Sequence, residues 1–556
     1  MRFKEYNQDQ GLALPPYLEE LIAPDHLVRV INSVVDQIDV ALLCKGFKSS
    51  QHNKGGNLPY HPGMMLKVLI YAYATGTYTS RKIAEQVREN VHFMWLTGMQ
   101  KPDFRTINRY RSVYLKDALP ILFSQFVGDL YKKNLIDLDT LFVDGTKIEG
   151  NCNKHKVVWS KNVKRFKENI SKRVEDFLGN IDKLDSEEMK RYGDLDLPQL
   201  GESSELTSSY LQEMSDKIND SLTIDGKRSK TEAGKKLRKA SRQLKEDSKK
   251  MAEYESQEKI LNGRNSYSKT DPDAGVQKMK NDEIRPGYNV QAVTNKGFIL
   301  DADVSQNAND GTAFIPFMEN ILSSNLPSPN NIVADPGYGH EEVYNYLDKA
   351  HIRAYIKYPA YRVEDSNEAK YKYHYSKFRY VEKSDMFICP AGKELHFIEL
   401  YDSVTRTGYR TEKRKYRCSS CNDCQYKEHC VKSGDNRTLT VSFELKKYQK
   451  KAREDLSTVE GESLYGQRAH AIETVFGEWK HNGKFRRFIL RGLSNIRTEI
   501  KLLSFAYNIR KLAKYLANFI SFLLENLYVK WQKLASLVGL KKISVEICFS
   551  YEVLPE

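Results

Sequence analysis

The stretch DLDTLFVDGTKIEG, residues 137–150, decides how the rest of the chain is read. Leu141 and Val143 alternate with Phe142 and Asp144, the period-two pattern of a strand, and Gly145 is a local breaker. A carboxylate therefore stands near the end of an apolar strand. Further on, IRPGYNVQAVT and KGFILDADV predict a hairpin around Asn295–Lys296. TAFIPFMENILSS predicts an amphipathic helix, and NNIVADPGYG a short apolar strand that ends in Asp335. HEEVYNYLDKA then reads as a helix and RAYIKYP as a further strand. Strand, strand, strand, helix, strand, helix, strand is the order of a mixed α/β sheet.

With residues 154–265 removed, that order is the one of a ribonuclease H-like fold. The expected architecture is α/β: residues 131–153 and 266–357 form the first parts of the core, and 446–515 supply further core helices. Residues 154–265 are a charged helical insertion. Leu237, Leu244 and Met251 recur every seven residues there, but Asp247 spoils the seam, so a short helical hairpin is expected. SDKINDSLTIDGKRSK suggests a turn inside it. Residues 358–445 are basic, aromatic and Cys-rich, and their strand and helix pattern dissolves. Residues 1–130 read as an all-helical domain with a basic sprinkling, and 516–556 as a helical tail. In the former, Pro62 precedes an apolar helix, and Thr79 or Ser80 caps one carrying Ile83, Val87 and Val91.

Composition narrows the partners. The chain has 556 residues, 40% hydrophobic, enough for a sizeable core, which excludes a disordered protein. Its net charge of +14 points to a polyanion, with nucleic acid first. The first residues, MRFKEYNQDQ, have no signal-peptide core. YLANFISFLLENLYVKW is broken by Glu525, Asn526 and Lys530, so it predicts a buried helix and not a membrane span.

Phosphodiester chemistry commonly uses two divalent cations about 3.5–4 Å apart, held by acidic groups from separate elements. Asp144 and Asp335 at strand ends are candidates, with a turn-forming aspartate as the plain alternative. A third carboxylate should come from a helix packed on the sheet. Glu473, in YGQRAHAIETVFGEWKHNGKFRRF, fits that place, with Glu478 and Glu499 as competitors. Lys480 is seven residues on, about two turns, and so shares the Glu473 face. Glu149 lies beyond the strand, Asp301 and Asp303 sit on a neighbouring strand, and Asp310 reads as a helix N-cap.

These segments together resemble the DDE transposases of bacterial insertion sequences, whose catalytic domain is ribonuclease H-like and related to that of retroviral integrases. The resemblance rests on FVDGTKIEGN around Asp144, on ADPGYG around Asp335, and on Tyr465, Arg468, Glu473 and Lys480. The last four look like the Tyr-Arg-Glu-Lys signature of one large branch. Four residues separate Arg468 from Glu473 here, where the broader signature has three. The resemblance implies that Asp144 bridges two Mg²⁺ ions, that Asp335 and Glu473 each complete one site, and that Lys480, Arg468 and Tyr465 contact DNA. It further implies terminal inverted repeats and target DNA as partners, a homodimer on paired DNA ends, and a bacterial cytoplasmic, nucleoid-associated location. Two rival readings are a nuclease of the same fold that does not transfer strands, and an inactive zinc-containing DNA-binding regulator.

Cys418, Cys421, Cys424 and Cys430 read C-x₂-C-x₂-C-x₅-C, with Cys389 upstream. Such knuckles suit structural zinc in a reducing compartment. Cys389, Cys421, Cys424 and Cys430 are the favoured ligands, Cys418 is the alternate, and His429 is a replacement. Cys44, Cys152 and Cys548 read as ordinary core residues. The interleaved Tyr and Lys of YIKYPAYRVEDSNEAKYKYHYSKFRY suit contact with phosphate and unpaired bases.

Overall fold

Side-chain caps set the first helices. His61 accepts from Met64 N at the head of Pro62–Ala74, Thr79 from Lys82 N at Ser80–Glu89, and Asp103 from Thr106 N at Phe104–Arg109. Val91 does not continue the helix of Ile83 and Val87. Asn90 ends that helix and caps the next, Val91–Thr97, through His92 N and Phe93 N. The computed structural model describes residues 17–39, 41–44, 58–192, 206–221, 223–224, 227–228, 232–324, 326–431 and 433–537. Cys548 and the end of the expected tail lie outside the described residues, as does part of the expected turn in 215–230.

The chain divides into two units, Met1–Phe126 with Lys501–Glu556, and Val127–Ile500. The first is helical. Among the described residues, no helix is long and apolar enough to cross a membrane. The apolar run expected to be a buried helix instead exposes Tyr515, Leu516, Phe519 and Ile520, because no described residue covers them.

The second unit is built on a six-stranded sheet: β1 (Thr140–Glu149), β2 (Gly275–Lys278), β3 (Ile284–Asn295), β4 (Phe298–Ser305), β5 (Asn331–Ala334) and β6 (Arg353–Ile356). Its order is β6-β5-β1-β3-β2, with β4 also on β3. β5 runs parallel to β1 and to β6, while β3 runs against β1, β2 and β4. The β3–β4 hairpin closes through Lys296 and Gly297, both at positive φ, which suits a two-residue turn. Gly145 does not end β1: the strand continues to Glu149 against β3.

Between β1 and β2 the chain leaves and returns through a short ribbon in which Val157–Trp159 pairs with Ser266–Ser268. Among its described residues the insertion beyond it has three helices, Ser160–Tyr192, Ser208–Ser221 and Glu232–Leu261, and not the expected two. Its core includes Ile170, Val174, Leu211, Met214, Leu244 and Met251. Asp247 is tolerated in this seam because Arg173 reaches it at 2.7 Å. The region expected to lack pattern holds a five-stranded antiparallel sheet from Arg379–Val381 to Thr438–Val441.

Candidate active site

Val143 of β1 is paired with Ala334 of β5, so the next residues on these parallel strands are Asp144 and Asp335. The sheet itself brings the two carboxylates together. Burial, then the charge of Asp335, pushes Asp144 up to about 7. Burial and the charge of Asp310 raise Asp335 as well. Asp335 also accepts from Gly337 N at 2.8 Å, which fixes the tight DPG turn.

Glu473 comes from the helical run that starts at Val459. Its side chain is 55% exposed, and it meets Asp144 through Arg468, whose guanidinium lies 3.3 Å from Asp144 Oδ2 and 3.1 Å from Glu473 Oε1. The extra residue between Arg468 and Glu473 is absorbed by a π-helical turn over Ala469–Glu473. Its wider i→i+5 step keeps both side chains on one face. A second such turn, Glu478–Asn482, carries Lys480. Lys480 Nζ donates to Thr146 Oγ1 at 2.5 Å and to the Lys147 carbonyl at 2.8 Å. Burial, then Lys280 and Lys147, pulls its ammonium down to about 8. Tyr465 is half-buried beside Arg468, at 5.9 Å from ring to guanidinium.

The competing acids are occupied elsewhere. Glu499 is buried and accepts from Ile489 N and Leu490 N. Glu478 accepts from Asn482. Asp303 pairs with Arg497. Asp310 is not the N-cap, a role taken by Asn309. Its Oδ1 instead accepts from Lys147 Nζ and Asn289 Nδ2, each at 2.7 Å, and from Gln291 Nε2 at 3.1 Å. Gln291 in turn accepts from the buried Tyr338 hydroxyl. This network explains Gly145, where a Cβ would come within 2.7 Å of Asp310 Oδ1. Sequence reasoning missed it because Lys147 and Asp310 are 163 residues apart. Lys357, read in the sequence only as part of the basic aromatic stretch, follows β6 and lies 4.1 Å from the Tyr465 ring.

The five clustered cysteines line one cavity of about 20 Å³, and all are free thiols. Backbone N–H groups of Lys393 and Arg437 point at the sulfurs of Cys389 and Cys421. Burial, then Cys421, pushes Cys418 up to about 11, and its thiol donates to the Ser420 carbonyl. Among the described residues, no group of three or more His, Cys, Asp or Glu is arranged to hold a metal ion. In the acidic site the reason is visible, since Arg468 stands between Asp144 and Glu473.

Residues 388–513 match the family described as transposase DDE domain, and residues 16–113 match a transposase domain (DUF772). No curated protein matches the chain. The first match spans Tyr465, Arg468, Glu473 and Lys480, while Asp144 and Asp335 lie outside it. Two transposase domains along one chain support a transposase role. More narrowly, the two matches support a DDE transposase of an insertion sequence. The family implies an enzyme of the polynucleotidyl transferase or endonuclease kind, with DNA as partner and typically a divalent metal.

Proposed function

We propose that the chain binds the terminal inverted repeats of its element, cuts DNA at the ends and joins the exposed 3′ hydroxyl to target DNA. The observation that carries this reading is the pair Asp144 and Asp335 on neighbouring strands, joined to Glu473 through Arg468. The strand order, with β5 and β6 parallel to β1 and β3 opposed to it, supports a ribonuclease H-like core.

The carboxylates suit Mg²⁺ by donor chemistry. They are hard oxygen ligands, and two of them are half-buried and repel each other. Asp144, Asp335 and Glu473 would hold the ions. Bound there, the ions would activate the attacking oxygen and stabilise the leaving one. The chain's own residues orient the DNA. Arg468 and Tyr465 hold the end. Lys480 spends two of its three donors on β1 and keeps one for a phosphate oxygen. The N-terminal helices read the repeats, and a homodimer supplies one active site to each of two ends.

Incubation of the full chain and Mg²⁺ with a linear duplex ending in the DNA that flanks its coding sequence tests this. Asp144→Asn, Asp335→Asn and Glu473→Gln should each abolish cleavage and joining while leaving binding largely intact. Cleavage near the wild-type rate would remove that residue from the triad.

We also propose one structural zinc on Cys389, Cys421, Cys424 and Cys430, a reading supported by the C-x₂-C spacing, by the one cavity that these residues line and by the backbone N–H groups that two of the sulfurs receive. Cys418, whose thiol donates to the Ser420 carbonyl, is the spare. Elemental analysis of protein purified without added metal should find about one zinc per chain. Absence of zinc, with melting unaltered by chelator, rejects the site.

A further inference from the structure

Lys357 follows β6, whose last residue, Ile356, is paired with Ala334 of β5, the residue before Asp335. Its backbone is held close to the DPGYG turn: a Cβ on Gly339 would come within 2.6 Å of the Lys357 carbonyl. Its Nζ lies 4.1 Å from the Tyr465 ring and 5.1 Å from the Tyr361 ring. Among the described residues it has no carboxylate partner. The nearby acids are already committed, since Arg453 takes Glu364 at 2.8 Å and Asp365 at 2.9 Å. Burial, and then the neighbouring cations Arg362 and Arg468, weakens its hold on its proton. A partly buried ammonium among like charges, kept in place by aromatic faces, lacks an anion.

We propose that Lys357, with the exposed Arg362 beside it, is a seat for a DNA backbone phosphate on the Asp335 side of the carboxylates. The proposal rests on the DNA-end reading above and deepens it. Lys480 lies against the other side, where β1 pairs with β3, together with Lys147. A strand laid across the carboxylates would then meet a basic group on each side, with the scissile phosphodiester between them. Neither seat reads a base.

The test is the salt dependence of binding by the full chain to a blunt duplex of the DNA flanking its coding sequence, and to a scrambled duplex. Each phosphate contact contributes about 0.9 to the slope of log affinity against log salt. Lys357→Gln should lower the slope by about that amount on both duplexes, and Lys357→Arg should restore it. In duplexes carrying one neutral methylphosphonate at successive positions, Lys357→Gln should lose its sensitivity at a different position from Lys480→Gln. If Lys357→Gln lowers the melting temperature, Arg362→Gln carries the test on an exposed residue and should also lower the slope. Unchanged slopes in both variants, with wild-type binding intact, overturn the phosphate seat alone. No binding of the wild-type chain to either duplex overturns the DNA-end reading and the seat with it.

Discussion

Asp144 shows how one side chain can set a pH dependence. An ordinary aspartate ionises near pH 4, whereas burial and Asp335 hold Asp144 at about 7. Between these values the folded chain keeps a proton that the unfolded chain has released. Stability from this group therefore falls as pH rises through that window, and the loss is complete above it. The shift corresponds to at most about 4 kcal/mol. Asp144→Asn should accordingly raise the melting temperature at about pH 8 and leave it near wild type at about pH 4. An equal increase at both values would mean that the substitution acts through packing. Asp144 and Asp335 were legible in the sequence because each closes an apolar run of its own strand. The network around Asp310 and the place of Lys357 on the Tyr465 ring were not, since they are assembled from β1, β3 and the helix of Tyr465, all remote in sequence.

At the scale of the element, the π-helical turn over Ala469–Glu473 answers a discrepancy that the sequence alone left open. One residue more than the signature fits because the helix widens locally, and Arg468 still reaches Glu473. Removing the exposed His470 should let the run close as an α-helix, with Arg468 and Glu473 then four apart on the same face. That deletion is expected to keep the fold and cleavage within about tenfold, because π-bulges accommodate single insertions locally. Adding an alanine after Ala469 should abolish cleavage, since it turns Glu473 about 100° away. Circular dichroism and a cleavage assay on both variants separate these outcomes, and loss of fold on deletion would count against the account. The helices and strands around the carboxylates were legible from their periodicity. The antiparallel sheet of 379–441 was not, because most of Glu394–Val404 is exposed and shows no alternation to read.

At the scale of the whole molecule, the ribbon of Val157–Trp159 and Ser266–Ser268 makes the three-helix insertion a separable part. Trp159 is paired with Ser266, so the chain departs and returns at one point, and the insertion has its own core. Replacing residues 160–265 with an Asn-Gly turn should leave the sheet of β1 to β6 folded. The cost falls on the small cluster of Val158, Val163, Leu261 and Tyr267, on the Arg264 hydrogen bonds to the Pro272 and Asp273 carbonyls, on that of Arg406 to Asn265, and on ion pairs such as Lys269–Glu253. A cooperative melt and protease resistance of the shortened chain would bear this out, and an unfolded product would show that the insertion is needed by the core. The sequence revealed this segment by its change in charge. It did not reveal the third helix, since Asp247 looked like a fault in the seam until Arg173 was seen to reach it.

The pairing of Val143 with Ala334 has a consequence for how the site can fail. Asp144 and Asp335 hang from adjacent rungs, and adjacent strands lie about 4.8 Å apart. The gap between their main chains is gauged by the ladder's hydrogen bonds, much as a ruler is graduated, and owes little to how the core side chains pack. Core mutations therefore have little means of detuning that gap by degrees. While the ladder holds, the spacing is right, and when it yields, the whole sheet goes with it. Damage from the core should reach the chemistry as a smaller fraction of intact molecules, each of them still in tolerance.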